Sequence, residues 1–310
     1  MTAIVASRGR IPIEGGQKWH SELVSGMDSI VRYFETIPAT HRSAILVGGI
    51  AFFWMWEGAV PLFRFEYRKW THAFVNLFFT ATTVVVNFAL AFVLLFAADW
   101  AVANRFGVLF LAPELPLALQ MPIGLLLLDL LSAWLPHWVQ HKTPVLWRLH
   151  LIHHSDTHID TTTANRHHPG ESIIRFAFTV PAVIVVGTPM WMVFLYQALS
   201  VVLSQFNHAN ISLPTWLDRG LSWCIVSPDM HKVHHHYVLP YTDSNYGNIF
   251  SVWDRLFGTF RTLERSQLVY GVNTHMDTAQ HGTVRALLMM PFRRYPKSEA
   301  APGRGPDAAS

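Results

Sequence analysis

Histidines dominate the middle of the chain. Eight fall in the 32 residues from His137 to His168, and four more follow at His231, His234, His235 and His236. Neutral imidazole is a good nitrogen donor at physiological pH and the commonest side-chain ligand for transition metals. Spacing says more than number. His137 and His141 stand at i, i+4; His150, His153 and His154 stand at i, i+3, i+4; and His231, His234 and His235 repeat that offset. On helices these offsets put the members of each set on one face, within reach of a shared ion. Eight imidazoles on three such faces are too many for one metal and suit two.

The elements that must position these side chains belong to a membrane. Of the 310 residues, 51% are hydrophobic and 14% charged, with 12 tryptophans and 21 phenylalanines. Soluble domains carry roughly 25% charged residues, and aromatic residues gather at bilayer interfaces. The net charge of +3 is scattered beside apolar segments. That suits an anionic membrane surface and excludes the concentrated basic face that nucleic acid requires. The single cysteine, Cys224, excludes an intrachain disulfide and a cysteine-based zinc or iron–sulfur site. The opening MTAIVASRGRIPIEGG lacks the apolar core expected of a cleaved signal peptide.

In chain order, residues 1–42 read as a polar leader followed by an amphipathic helix over 21–37, lying on the membrane or packed as a surface helix. Three apolar segments follow at Ser43–Phe63, Phe74–Ala98 and Leu117–Leu135, each near the ~20 residues needed to span a bilayer. Glu57 interrupts the first, which is expected to lie shallow or form a hairpin. The basic loop Arg64–Lys69 is expected on the cytoplasmic side, and the loop from Asp99 to Glu114 outside. The third segment then returns to the cytoplasm and delivers His137 there. Ile173–Phe206 reads as a hairpin of two half-length or tilted helices, broken at Pro181 and at Gly187-Thr188-Pro189. Residues 207–260 form a polar, aromatic cap, so that 43–283 make up the membrane domain, and 284–310 are a short amphipathic stretch with a tail. No Gly-rich phosphate loop or GxSxG elbow is present.

Six motifs occur in order within residues 129–261: His137-x3-His141, Trp147-Arg-Leu-His150-x2-His153-His154-Ser155, Arg166-x-His168-Pro169, Asn207-His208-Ala-Asn210, Pro228-Asp-Met-His231-x2-His234-His235, and Asn245-Tyr246-Gly247 leading to Trp253-Asp254-Arg255-Leu256-Phe257-Gly258-Thr259. In this order the chain resembles the fatty acid hydroxylase/sterol desaturase superfamily of membrane di-iron enzymes. The resemblance implies an all-α integral membrane protein, with about four transmembrane helices under a cytosolic helical cap that holds two iron ions. The active site would face the cytoplasm, in a bacterial inner membrane. It implies a reaction using O2 and electrons from a separate donor, a ferredoxin or a cytochrome b5-like reductase system, to hydroxylate or desaturate a membrane lipid. Ligands implied are His137, His141, His150, His153, His154, His231, His234 and His235, with His168 and His208 as a possible ninth and tenth. Some members carry a partner histidine four residues before the position of His208; here that residue is Ser204.

The chemistry agrees with the residues read on their own. Oxidising an unactivated C–H bond needs a bound metal and O2, because no side chain supplies such an oxidant. Asp156, Asp160, Asp229, Asp243 and Asn245 are candidates to take the second N–H of a ligating imidazole. Asp129, about two turns below His137, is either functional or a buried hydrogen-bond partner. Arg166 and Glu171 are placed to pair and brace the cap. His158, His167 and His236 read as neighbours of the ligands, and His20, His41, His72, His275 and His281 as ordinary surface or core residues. His168-Pro169-Gly170-Glu171 departs at its last position from the haem-binding HPGG of cytochrome b5-like domains, and the chain has no flavin or nicotinamide fingerprint. A metal transporter would place histidines within the spans or on a low-complexity loop. A zinc hydrolase would use fewer ligands and a carboxylate base. Hydroxylation is favoured over desaturation. The lipid class stays open between acyl chain, sterol and a polar head group such as that of an ornithine lipid.

Overall fold

Apolar runs of near membrane-spanning length become helices, because inside a bilayer only a helix satisfies every backbone N–H and C=O internally. The computed structural model describes residues 26–294, and everything below concerns those. Residues 26–35 are helical, the described part of the expected amphipathic helix; residues 21–25 lie outside the described range. Then come α1 (Ala39–Ala59), α2 (Lys69–Ala103), α3 (Leu117–Asp129), a π-helical turn Leu130–Trp134, α4 (Leu135–Lys142) and α5 (Pro144–His154). After these follow α6 (Pro169–Val186), α7 (Met190–His208), α8 (Thr215–Leu221), α9 (Pro228–His234), α10 (Val252–Leu256), α11 (Thr278–His281) and α12 (Val284–Met289). Among the described residues there is no strand, only isolated bridges such as Ile225 with Phe250.

Three stretches are long and apolar enough to cross a membrane: Lys69–Leu111, Leu117–Lys142 and Pro169–Val186. The expected count was about four, and α1 and α7 are not among the three. α1 carries the adjacent Gly48 and Gly49 and a buried Glu57. It packs along α7, where a Cβ on Gly49 would collide with the Gln205 side chain. Glu57 faces inward, its Oε1 accepting from the backbone N–H of Thr161 (2.7 Å) and Asn210 (2.8 Å). A side chain so bound ties the end of α1 to the turn at Thr161 and to the chain after α7.

α2, at 35 residues, is about 52 Å long, longer than the ~30 Å hydrocarbon core. Its outward face is lined by Phe74, Phe88, Phe92 and Phe96, all exposed, as a lipid-facing surface requires. Its first turns instead enter a polar network. His72 Nε2 meets Asp156 at 2.9 Å, and Asn76 donates to Thr162 (2.9 Å) while accepting from Arg166 (3.1 Å).

The hairpin expected from Ile173 to Phe206 is present, with one correction. Its arms, α6 of 18 and α7 of 19 residues, are each about 27–28 Å long rather than half-length. Pro181 lies inside α6 without breaking it; the break comes at Gly187, where φ is +79°. A Cβ there would stand 2.5 Å from Phe106 O, so the turn needs glycine twice over. The hairpin returns the chain to its starting level, placing His167 and His208 at the same end of the bundle. The apolar core sits below that end, where Leu94, Leu128, Val183, Val186 and Met192 interdigitate.

Candidate metal centre

Nine histidines meet at the head of the helices, in two groups. One nitrogen from each of His137, His141, His150, His154 and His234 lies within 4.8 Å of all the others, and the same holds for His153, His208, His231 and His235. The split corrects the expectation that each sequence set serves one ion. Within His150-x2-His153-His154, the i and i+4 residues enter the first group and the i+3 residue enters the second. Within His231-x2-His234-His235 the assignment reverses. Successive helical residues point about 100° apart, so each adjacent pair, His153-His154 and His234-His235, diverges into two sites. Two opposed helices, α5 and α9 with its following residue, thereby feed both. The sites are contiguous: the His154 and His235 rings stack at 4.7 Å.

The donor set fits a metal ion. In the second group His208 Nε2 stands 3.1 Å from His153 Nε2, 3.0 Å from His231 Nε2 and 3.3 Å from His235 Nε2. His208 Nδ1 is held by Ser204 O at 2.7 Å, so that nitrogen carries the proton and Nε2 presents a lone pair. Bonds of about 2.0–2.1 Å to a shared ion set neighbouring nitrogens roughly 2.9–3.4 Å apart, depending on coordination geometry. In the first group, the Nε2 atoms of His141, His154 and His234 are buried and have no protein partner. Leaving such atoms unsatisfied costs about 1–3 kcal/mol each, and a shared cation removes that cost.

Orientation in the first group comes from acceptors on other elements. His137 Nδ1 donates to Tyr246 O (2.8 Å), His234 Nδ1 to Ser244 O (2.6 Å), His150 Nδ1 to Glu171 Oε1 (2.8 Å) and His141 Nδ1 to Asp243 Oδ1 (3.1 Å). The 244–250 loop that supplies two of these carbonyls is itself clamped. Asp254 accepts from the N–H of Tyr246 and Gly247 at 2.8 Å each and from Trp134 Nε1 at 3.0 Å. Asp129 accepts from the N–H of Ile249 (3.2 Å) and Phe250 (3.1 Å), which resolves its role as a hydrogen-bond partner of this loop rather than of a helix. Asn245 adopts φ +50°, a region Asn tolerates, and its side chain donates to Met230 O. Gly247 admits no Cβ, which would lie 2.9 Å from Asp254 Oδ2. The Asn-Tyr-Gly and Trp-Asp motifs are therefore one device for holding a carbonyl against His137.

Burial is the main reason that His150, His153, His154, His231, His234 and His235 all titrate below the ordinary imidazole range. Neighbouring imidazoles add to this at each of them. They are neutral at pH 7, as ligands must be.

Several expected placements differ. His168 stands apart from both groups, because it is the N-cap of α6 and its Nδ1 accepts from Gly170 N at 3.0 Å. Of the five candidates to brace an imidazole, only Asp243 touches a clustered histidine. Asp156 and Asp160 bind His72 instead, Asp229 pairs with Arg265 (2.7 Å), and the Asn245 side chain holds backbone. Arg166 and Glu171 do not pair: Arg166 reaches Asp156 (3.5 Å) and Ile152 O, whereas Glu171 faces His150 and His167 (3.0 Å). Glu171 as the brace of His150 was missed. Its signal was there, an acid in the first turn of an apolar helix.

Residues 121–259 match the family model for fatty acid hydroxylase. Over these 139 of its 310 residues the chain is similar to the fatty acid hydroxylase family. It is similar to ornithine lipid hydroxylase OlsE of Rhizobium tropici, 27% identical over 150 residues that cover 48% of this chain and 44% of that protein. It is also similar to the alkylglycerol monooxygenases of Xenopus tropicalis (28% over 152 residues, 46% of this chain and 30% of that protein) and Danio rerio (27% over 158 residues, 49% and 32%). The matched stretch thus spans less than half the length of each of these relatives. No solved structure matches the chain. The residues matched by the family model include all nine clustered histidines.

Proposed function

We propose that this protein is a membrane-bound oxygenase that hydroxylates a lipid, using two iron ions held by the nine clustered histidines, O2, and electrons from a separate donor. The observation that carries the reading is the pair of contiguous imidazole sites at the head of apolar helices, in a chain similar to lipid hydroxylases. Two irons bound there would supply the oxidant for an unactivated C–H bond, chemistry that no side chain provides. The chain's own residues bind and orient. Neutral imidazoles present Nε2, while Tyr246 O, Ser244 O, Glu171 and Asp243 fix their ring angles, and burial keeps bulk water from the site. Apolar helices below the site let an acyl or sterol chain rise from the bilayer while its polar end stays wet.

Hydroxylation is preferred to desaturation, and an amino-lipid head group is among the substrates this reading permits, as the name of OlsE suggests. Growth under 18O2 followed by lipid mass spectrometry tests it. One labelled oxygen gained by a lipid only when the gene is present supports hydroxylation; a lipid lighter by two hydrogens, with label in water alone, makes the enzyme a desaturase.

The active-site end is assigned to the cytoplasmic face of a bacterial inner membrane. In a Cys224→Ser background, a cysteine replacing Lys142 should resist an impermeant thiol reagent in intact cells and one replacing Arg105 should react. The opposite pattern inverts the topology.

A further inference from the structure

Away from the histidines, α12 and the residues after it carry a feature the metal chemistry does not use. Residues 284–294 contain three arginines, Arg285, Arg293 and Arg294, and no acid. All three are exposed, and none stands within ion-pair reach of a carboxylate among the described residues. Beside them a groove of about 560 Å³ is lined by Val284, Arg285, Leu288, Met289 and Arg293. Met289 and Phe292, 47% and 70% exposed, turn apolar surface outward on the same segment.

Packing fixes the level at which this segment sits. Leu287 and Met290 are buried against Val75 and Phe79, in the first three turns of α2. The Phe292 ring lies 6.2 Å from that of His168, the N-cap of α6, and Arg148 donates to Pro291 O at 3.3 Å. The segment is therefore pinned to the starts of two apolar, span-length helices, where a bilayer's headgroups would lie. Arginines at that depth, with outward apolar side chains between them, match an anionic surface above acyl chains.

We propose that this groove binds the headgroup of an anionic phospholipid in the leaflet that faces the histidine end, with Arg285 and Arg293 on the phosphate and Leu288 and Met289 along the upper acyl chain. The inference depends on the apolar helices lying in a bilayer and is independent of which metal is bound or what is oxidised.

The test uses the full chain purified in neutral detergent, titrated with short-chain phosphatidylglycerol and followed by native mass spectrometry. Phosphatidylcholine and inorganic phosphate serve as comparison probes. Phosphatidylglycerol should bind in preference to phosphatidylcholine, with an affinity that falls roughly fivefold for each arginine replaced in Arg285→Gln, Arg293→Gln and the two combined. Metal content should stay unchanged in these variants, which reports that the fold survives and separates this outcome from failure of the proposed chemistry. Should Arg285→Gln lose metal, the Arg293→Gln/Arg294→Gln pair carries the test. Equal binding of phosphatidylcholine, undiminished phosphatidylglycerol binding by the variants, or equally strong binding of inorganic phosphate would overturn the proposal. So would lipid binding that appears only after residues 295–310 are removed, which would make the chain's own tail the occupant, or binding that requires a second copy of the chain.

Discussion

The two histidine groups share α5 and α9 but are not held alike. In the first, four of the five rings have Nδ1 bound to an acceptor, from Tyr246, Ser244, Glu171 and Asp243. In the second, only His208 is so held, by Ser204 O, while Nδ1 of His153, His231 and His235 is buried without a partner. An imidazole whose second nitrogen is tied keeps its tautomer and angle before metal arrives; an untied one must be ordered by the metal itself. The first site is thus pre-shaped and the second is shaped by its occupant. This difference predicts unequal affinity for two otherwise similar ions.

The largest effect should come from removing rings. His234→Ala takes a ligand from the first group and His153→Ala from the second. Each is expected to abolish lipid hydroxylation while leaving membrane insertion intact, with metal content falling from two ions toward one. Full activity in both variants would break the two-site account. Next in size, chelation should empty the sites in sequence, the second group before the first, seen as two phases of metal release. A single phase would show that the tied carbonyls and carboxylates confer no difference.

Braces should matter less than rings. Glu171→Ala is expected to weaken metal binding in the first group about 10–100-fold, and Asp254→Ala to act in the same direction by releasing the loop that carries Tyr246 O. Metal content measured at limiting iron would detect either change. If both variants hold metal like the parent, the pre-shaping argument fails.

The pH response follows from the lowered histidine pKa values. The folded apo-protein holds these rings neutral, whereas in an unfolded chain they accept protons near the ordinary value of about 6.5. Stability contributed by keeping them neutral is therefore present above that value and lost as pH falls through it. Metal competes for the same lone pairs, so affinity should fall over the same range. Equilibrium metal binding between pH 8 and 5 would check the sign; affinity that rises on acidification would contradict it. Smallest of all, Ser204→Ala should change neither metal content nor stability by more than about 0.5 kcal/mol, because His208 uses the backbone carbonyl and not the hydroxyl.

Much of this arrangement was legible in the chain. The apolar lengths marked α2, α3 and the α6–α7 hairpin, since a bilayer leaves little choice but helix, and the His-x2-His-His offsets marked the site. What sequence could not show was the sorting of each set into two groups, because that depends on how α5 and α9 face one another. Nor could it show the acceptors. Tyr246 O, Ser244 O and Ser204 O are backbone atoms with no signature in side-chain type, and their use depends on a loop clamped by Asp254 and Asp129. The ninth ligand expected at His168 fell to local chemistry, since a ring preceding Pro169 at a helix start is well placed to cap that helix. α1 and α7 have the length of spans, but polar insertions such as Glu57 turn inward and bind the backbone of Thr161 and Asn210, lowering the apolar signal the length alone suggests.

We propose that one chain holds two metal ions in contiguous histidine sites. Elemental analysis of the purified protein, compared with His153→Ala and His234→Ala, tests it most directly. Two iron ions per chain are expected in active protein and one in each variant. A single metal ion per chain in the active parent, or two ions retained in both variants, would contradict it.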